Sequence, residues 1–107
     1  MRALSVLVTV IALAYGHPDF KACCDFVKGS QPVKMKDETK LKVYGLFKQG
    51  TLGDCDPNVD VKGSKLGKIM LDEWCKNAGK SVEDAQAQYV AIIDTLVPDW
   101  RQLARIA

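Results

Sequence analysis

The helical spacing of apolar residues is the feature that most constrains how this chain folds. In residues 82–96 the apolar side chains recur at steps of three and four, which places them on one face of a helix. Segments 19–28, 37–50 and 64–77 are the other predicted helices, and no stretch shows the period of two that is typical of strands. The sequence therefore predicts an all-α fold of four helices.

Short polar residues and helix breakers place the ends of these helices. Pro98 is expected to end the fourth helix because it has no N–H and restricts the residue before it. Beyond it, apolar residues are spaced for a last amphipathic turn, at Trp100, Leu103 and Ile106. Polar side chains suited to open the four helices stand at Asp19, Asp37, Ser64 and Ser81.

The first sixteen residues differ in composition from the rest of the chain. Arg2 gives a positive start, residues 3–14 are almost entirely apolar, and small residues stand at Ala14 and Gly16. An apolar run this short falls below the ~20 residues that span a bilayer. We expect residues 1–16 to be a secretory signal peptide and residues 17–107 to form one secreted domain, without stable membrane insertion.

Charge and residue types exclude several functions for the mature chain. Removing 16 of 107 residues leaves 91, and the 15 basic residues become 14 against 13 acidic ones. Nucleic acid is not expected as a partner, because binding it requires a strongly basic face. With His17 as the only histidine, no catalytic triad and no metal site can be assembled. We expect a monomer that is not an enzyme and holds no cofactor.

Four cysteines, Cys23, Cys24, Cys55 and Cys75, remain after cleavage. Export favours their oxidation. A bond between the neighbours Cys23 and Cys24 would be strained and does not fit a regular helix. We therefore expect each of these two to pair with one of the later cysteines, and buried free thiols are the alternative.

Residues 41–54 contain the candidate ligand site. On a helix, Tyr44 and Lys48 lie one turn apart on the same face, where a phenol and an ammonium can both donate hydrogen bonds to a phosphate. Phe47 lies beside them and offers a flat face for a purine. Packing in the protein core is the alternative for both aromatic residues.

This stretch is similar to one in the acyl-CoA-binding protein family. Residues 44–54, YGLFKQGTLGD, resemble the family run YGLYKQATVGD, and Trp74, the run G-x-S-x-E-D-A from Gly79 and Tyr89 follow at the family spacing. The resemblance covers about residues 20–96. It implies a four-helix bundle that binds fatty acyl-CoA as its ligand, holds the nucleotide and shields the acyl chain without catalysis.

The resemblance also implies which residues contact the ligand. Tyr44 and Lys48 would bind the 3′-phosphate of the nucleotide, Tyr89 would lie beside the nucleotide, and Lys28 would add a cation. The family lysine that also contacts this phosphate is replaced here by methionine. The full predicted set is Lys28, Tyr44, Gly45, Leu46, Phe47, Lys48, Met70 and Tyr89.

The replacement at Met70 keeps more than one function open. Losing one charged hydrogen bond to phosphate costs about 1.5–3 kcal/mol, and Lys65 or Lys68 are candidates to compensate. Carriage of medium- or long-chain acyl-CoA is the favoured function. A secreted carrier of free fatty acids or other hydrophobic ligands ranks second, because residues 69–71 make the third helix more apolar than the family norm. A secreted signalling or interaction protein is the third candidate.

Overall fold

The structure, a computed structural model, describes residues 16–29 and 32–106. Within these residues all regular structure is helical, which confirms the all-α prediction. The last amphipathic turn is a short fifth helix. Apart from Gly16, the predicted signal peptide lies outside the described residues. The helices are α1 (Phe20–Val27), α2 (Asp37–Leu52), α3 (Lys65–Cys75), α4 (Val82–Leu96) and α5 (Trp100–Ile106).

Two of the four predicted helix caps are present. The Ser64 hydroxyl accepts a hydrogen bond from the Gly67 N–H at 2.9 Å, and the Ser81 hydroxyl accepts one from the Asp84 N–H at 3.0 Å. Asp37 is already inside α2, so the prediction that it caps this helix is wrong. Asp19 precedes α1, but its carboxylate makes no cap bond.

The Asp19 carboxylate is instead bound by Arg101, which fastens the start of the described chain to its end. The guanidinium of Arg101 lies 2.9 Å from Asp19 and 2.7 Å from Asp94 of α4. The indole N–H of Trp100 also donates to Asp94, at 2.7 Å. These charge-assisted bonds connect the start of α1, the start of α5 and the end of α4.

Among the described helices the longest is α2, which lies between α3 and α4, whereas α1 packs mainly against α4 and α5. No helix in the described residues is both long enough and apolar enough to cross a bilayer. Leu71 of α3 is buried as well, but it lies outside the main core cluster. That cluster contains residues from the other four described helices, namely Phe20, Cys23, Cys24, Val43, Leu46, Ala85, Tyr89, Val90, Ile93 and Trp100.

The predicted disulfide pairing is wrong. Cys55 is bonded to Cys75, with their Cα atoms 5.3 Å apart, while Cys23 and Cys24 are free and buried. The reason is topological, because α1 directs both of its cysteines towards α4 and α5. The chain after α2 returns instead to the end of α3 and brings Cys55 to Cys75. The alternative of buried free thiols therefore holds for the adjacent pair.

We expect thiol chemistry to show this pairing. Burial raises the pKa of the Cys23 thiol to about 12, and burial also raises the pKa of Cys24. Because thiolates are the reactive form, neither should react readily with iodoacetamide in the folded protein at pH 8. Intact-mass analysis should show two alkylated cysteines per chain after unfolding without reductant. Four alkylated cysteines, or fast alkylation of the folded protein, would contradict this assignment.

The Cys55–Cys75 bond should contribute measurably to stability. It closes a loop whose ends are 20 residues apart, and a loop of that size is worth about 3 kcal/mol in the chain-entropy account. The double variant Cys55→Ser/Cys75→Ser should lower the free energy of unfolding by about this amount in urea titrations. Reduction of the wild-type protein provides the matched comparison, and an unchanged midpoint in both would refute the expectation.

Candidate ligand-binding site

An open pocket of about 260 Å³ lies where α1 and residues 32–36 meet α2 and α4. Most of its walls are apolar, and two lysines stand among them. This combination suits an amphipathic anion, whose apolar part contacts the walls while its charged part meets an ammonium group. The lining residues are Val27, Lys28, Val33, Met35, Lys40, Val43, Tyr44, Phe47 and Tyr89.

The rings of Phe47 and Tyr89 line this pocket, and the ring of Phe20 packs against both of them without lining it. The ring of Phe20 meets Tyr89 edge-on at 5.3 Å, and Phe47 lies 6.4 Å from each of them. Tyr89 is only 3% exposed, so a ligand can reach little more than one edge of its ring. Burial, followed by the nearby Cys24 thiol, raises the pKa of Tyr89 well above its usual value. The phenol therefore keeps its proton at physiological pH.

The two lysines of the pocket lie on different helices. Lys28 extends from the end of α1, with its ammonium 4.7 Å from the centre of the Phe47 ring. Lys40 lies on α2, and its ammonium is 3.9 Å from the Asp37 carboxylate. Both partners of this ion pair are well exposed, with side-chain exposures of 62% and 99%, so the pair contributes little to stability.

Tyr44 links this pocket to a third lysine, Lys48, in the groove between α2 and α3. Tyr44 lines the pocket, and its ring centre lies 5.9 Å from the ammonium of Lys48. On the other side, the same ammonium lies 5.6 Å from the ring of Trp74 in α3. The indole N–H of Trp74 donates to the Gly53 carbonyl at 2.8 Å, which fixes that ring. Lys48 is therefore held between two aromatic rings beside the pocket.

Two residues predicted to contact the ligand face the protein interior instead. Leu46 is 1% exposed and belongs to the core. Gly45 is buried where α2 crosses α3, and a Cβ there would lie 2.7 Å from the Glu73 carbonyl oxygen. Neither offers a side chain to a ligand, and the structure gives both a packing role.

The predicted residues of α3 do not line the pocket. Met70 is half-buried and lies one turn before Trp74, on the side of α3 that Lys48 approaches. Lys65 and Lys68 are exposed. The ammonium of Lys68 is paired with Asp72 at 2.9 Å. The two lysines expected to replace the missing cation therefore stand outside the pocket.

Several lining residues were missed by the sequence analysis. Lys40 lies four residues before Tyr44, so the spacing that selected Lys48 also places Lys40 on the same face of α2. Val33 and Met35 come from an irregular segment, where no periodicity marks them. Among the described residues, no group of three acidic, histidine or cysteine side chains is placed to hold a metal ion. The arrangement is suited to binding an amphipathic anion.

Comparison with protein-family models and curated proteins identifies the relatives of this fold and site. The family model described as acyl-CoA-binding protein matches residues 17–93. An acyl-CoA-binding protein homolog of Manduca sexta is 42% identical, over 57% of this chain and 69% of its own length. A homolog of Drosophila melanogaster is 36% identical, over 73% of this chain and 90% of its own length.

A solved structure agrees with these matches. The solution structure of an acyl-CoA-binding protein from Babesia bovis superposes with a TM-score of 0.65 at 32% sequence identity. The match covers 78% of this chain and 94% of that protein. Together with the family match, which includes α1 to α3 and most of α4, this similarity shows that the chain belongs to the acyl-CoA-binding protein family.

Proposed function

We propose that this protein binds medium- to long-chain fatty acyl-CoA thioesters and carries them without catalysis. The observation that carries this proposal is the position of Tyr44, which lines the apolar pocket and also contacts the ammonium of Lys48. Tyr44 thus connects the pocket, which suits the acyl chain and the purine, to the Lys48 ammonium, which can donate a hydrogen bond to the phosphate.

In this proposal the nucleotide lies against α2. The purine contacts the Phe47 ring, and the Lys28 ammonium lies 4.7 Å from the centre of that ring. The 3′-phosphate accepts hydrogen bonds from the Tyr44 hydroxyl and the Lys48 ammonium. Lys48 then loses part of its contact with the aromatic rings but gains a charge-assisted bond, which is the stronger of the two interactions.

The acyl chain supplies the apolar part of the affinity. Each methylene that leaves water contributes about 0.8 kcal/mol. Covering only four methylenes therefore offsets the about 1.5–3 kcal/mol lost with the lysine that Met70 replaces. Leu66 and Ile69 on α3 are 62% and 48% exposed, so apolar surface is available outside the pocket as well. This accounting favours thioesters with long chains over short ones.

A free fatty acid is the second candidate ligand. The observation that favours it is the replacement at Met70, which leaves the groove between α2 and α3 with Lys48 as the cation nearest to Trp74. A carboxylate needs one cation, whereas a nucleotide with several phosphates benefits from more. Direct comparison of palmitate with palmitoyl-CoA separates the two ligands.

The proposal places this carrier outside the cell. Support comes from the sequence of residues 1–16, whose charged start, apolar middle and small-residue exit are typical of a cleaved signal peptide. We further propose that the secreted protein acts as a monomer.

Replacing Lys48 tests the phosphate contact. Lys48→Met removes the ammonium but keeps an apolar stem against the rings of Tyr44 and Trp74. It should weaken palmitoyl-CoA binding by about ten- to a hundredfold, since a charged hydrogen bond is worth about 1.5–3 kcal/mol. Met70→Lys should strengthen binding, and the gain should decrease with added salt. Isothermal titration calorimetry measures both effects.

The matched control for this series is Lys42→Met, an exposed lysine of α2 that does not line the pocket. It should leave palmitoyl-CoA affinity within twofold of wild type. If palmitate binds as tightly as palmitoyl-CoA and Lys48→Met affects neither ligand, acyl-CoA is not the preferred ligand. The free fatty acid would then take its place.

Secretion is tested on the full chain expressed in cultured eukaryotic cells. The protein collected from the medium should begin at His17, as determined by intact-mass analysis and N-terminal sequencing. Arg2→Glu together with Leu7→Asp should retain the protein in cells, because it removes the positive start and interrupts the apolar run. A wild-type protein that stays in the cells with Met1 in place would refute extracellular carriage.

A further inference from the structure

The exposed Lys40 at the pocket has no role in the proposed binding of acyl-CoA through Lys28, Tyr44, Phe47 and Lys48. It lines the same pocket as Lys28, but Lys40 lies on α2 whereas Lys28 lies at the end of α1. Its interaction with Asp37 is long, at 3.9 Å, and the Asp37 side chain is 99% exposed. An ammonium in such a weak pair is available to another anion at little cost.

We propose that Lys40 and Lys28 form a second anion subsite, which binds the diphosphate of the acyl-CoA ligand. This inference rests on the proposed function, because it assigns a further group of the same ligand. It makes Lys40 a specificity-determining residue for ligands that carry a diphosphate, whether or not they also carry the 3′-phosphate.

The positions of the lysines along α2 separate the two anion subsites. Lys40 and Lys48 are eight residues apart, which is about 12 Å along a helix axis, and Tyr44 lies midway between them. The Lys48 ammonium is held near the rings of Tyr44 and Trp74, away from the α1 side. A CoA thioester likewise carries its 3′-monophosphate and its diphosphate on different carbons of the ribose. One lysine of α2 is thus available for each phosphate group, Lys40 for the diphosphate and Lys48 for the 3′-phosphate.

The second subsite also replaces the charge that α3 lacks. Met70 contributes no cation, and Lys68 is engaged with Asp72 at 2.9 Å outside the pocket. Lys40 provides a cation from α2 instead, at a different phosphate group of the same ligand. The total charge that faces the ligand is therefore kept, while its location moves from α3 to the first half of α2.

The test compares two thioesters in calorimetric titrations of the purified protein and its variants. Palmitoyl-CoA carries both phosphate groups, whereas its 3′-dephospho form carries only the diphosphate. Lys40→Met should weaken both ligands by the same factor, about three- to tenfold at low salt, because the diphosphate is common to both. Lys48→Met should weaken only palmitoyl-CoA. Lys40→Arg should restore binding, and Lys42→Met is the matched exposed control.

Three outcomes would overturn the second subsite. The first is unchanged binding of both thioesters by Lys40→Met, which leaves the proposed function intact as long as the wild type binds. The second is a loss confined to palmitoyl-CoA, which would assign Lys40 to the same phosphate as Lys48. The third is a loss of palmitate binding with no change for either thioester, which would make Lys40 a carboxylate contact. If the wild type binds neither thioester, the proposed function itself fails, and the subsite fails with it.

Discussion

The close contact between α2 and α3 at Gly45 is the constraint on which the site depends. A Cβ at this position would lie 2.7 Å from the backbone oxygen of Glu73, so only glycine allows the two helices to approach this closely. The approach brings Trp74 to within 5.6 Å of the Lys48 ammonium. Without it, α3 would stand further from α2, and the groove beside Tyr44 would open to water. Gly45, which does not line the pocket, therefore sets the geometry of the groove that we propose as the phosphate site.

The pocket and the adjacent thiols share one buried cluster. Phe20 packs edge-on against Tyr89 at 5.3 Å, and both belong to the same core cluster as Cys23 and Cys24, three and four residues further along α1. Burial raises the pKa of both thiols and so keeps them protonated and unreactive, as small apolar groups. The chain thus uses its four cysteines in two ways, as core packing under the pocket and as a covalent tie at Cys55–Cys75.

Local signals predicted most of the fold, whereas contacts between helices decided what the sequence left open. The Ser81 cap and the helical stripe of α4 were predictable because each depends on residues within one or two turns. The cysteine pairing was not, because it depends on which helix α1 packs against. In the site, the i, i+4 spacing from Tyr44 predicted Lys48. The same spacing towards the start of α2 leads to Lys40, which was not predicted. It gave no indication of Val33 or of the burial of Leu46.

The proposed use of Lys40 on α2, in place of a lysine on α3, would change how the site responds to salt. The Lys40 side chain is 62% exposed, so ions screen its attraction for a phosphate at physiological ionic strength, where the Debye length is about 8 Å. Lys48 is half-buried between two aromatic rings and is screened less. Burial of an acyl chain is not weakened by such screening. If the proposed sites bind acyl-CoA, its affinity in a salt-rich medium would therefore depend mainly on the acyl chain and Lys48, and Lys40 would act chiefly by attracting the charged ligand before it binds.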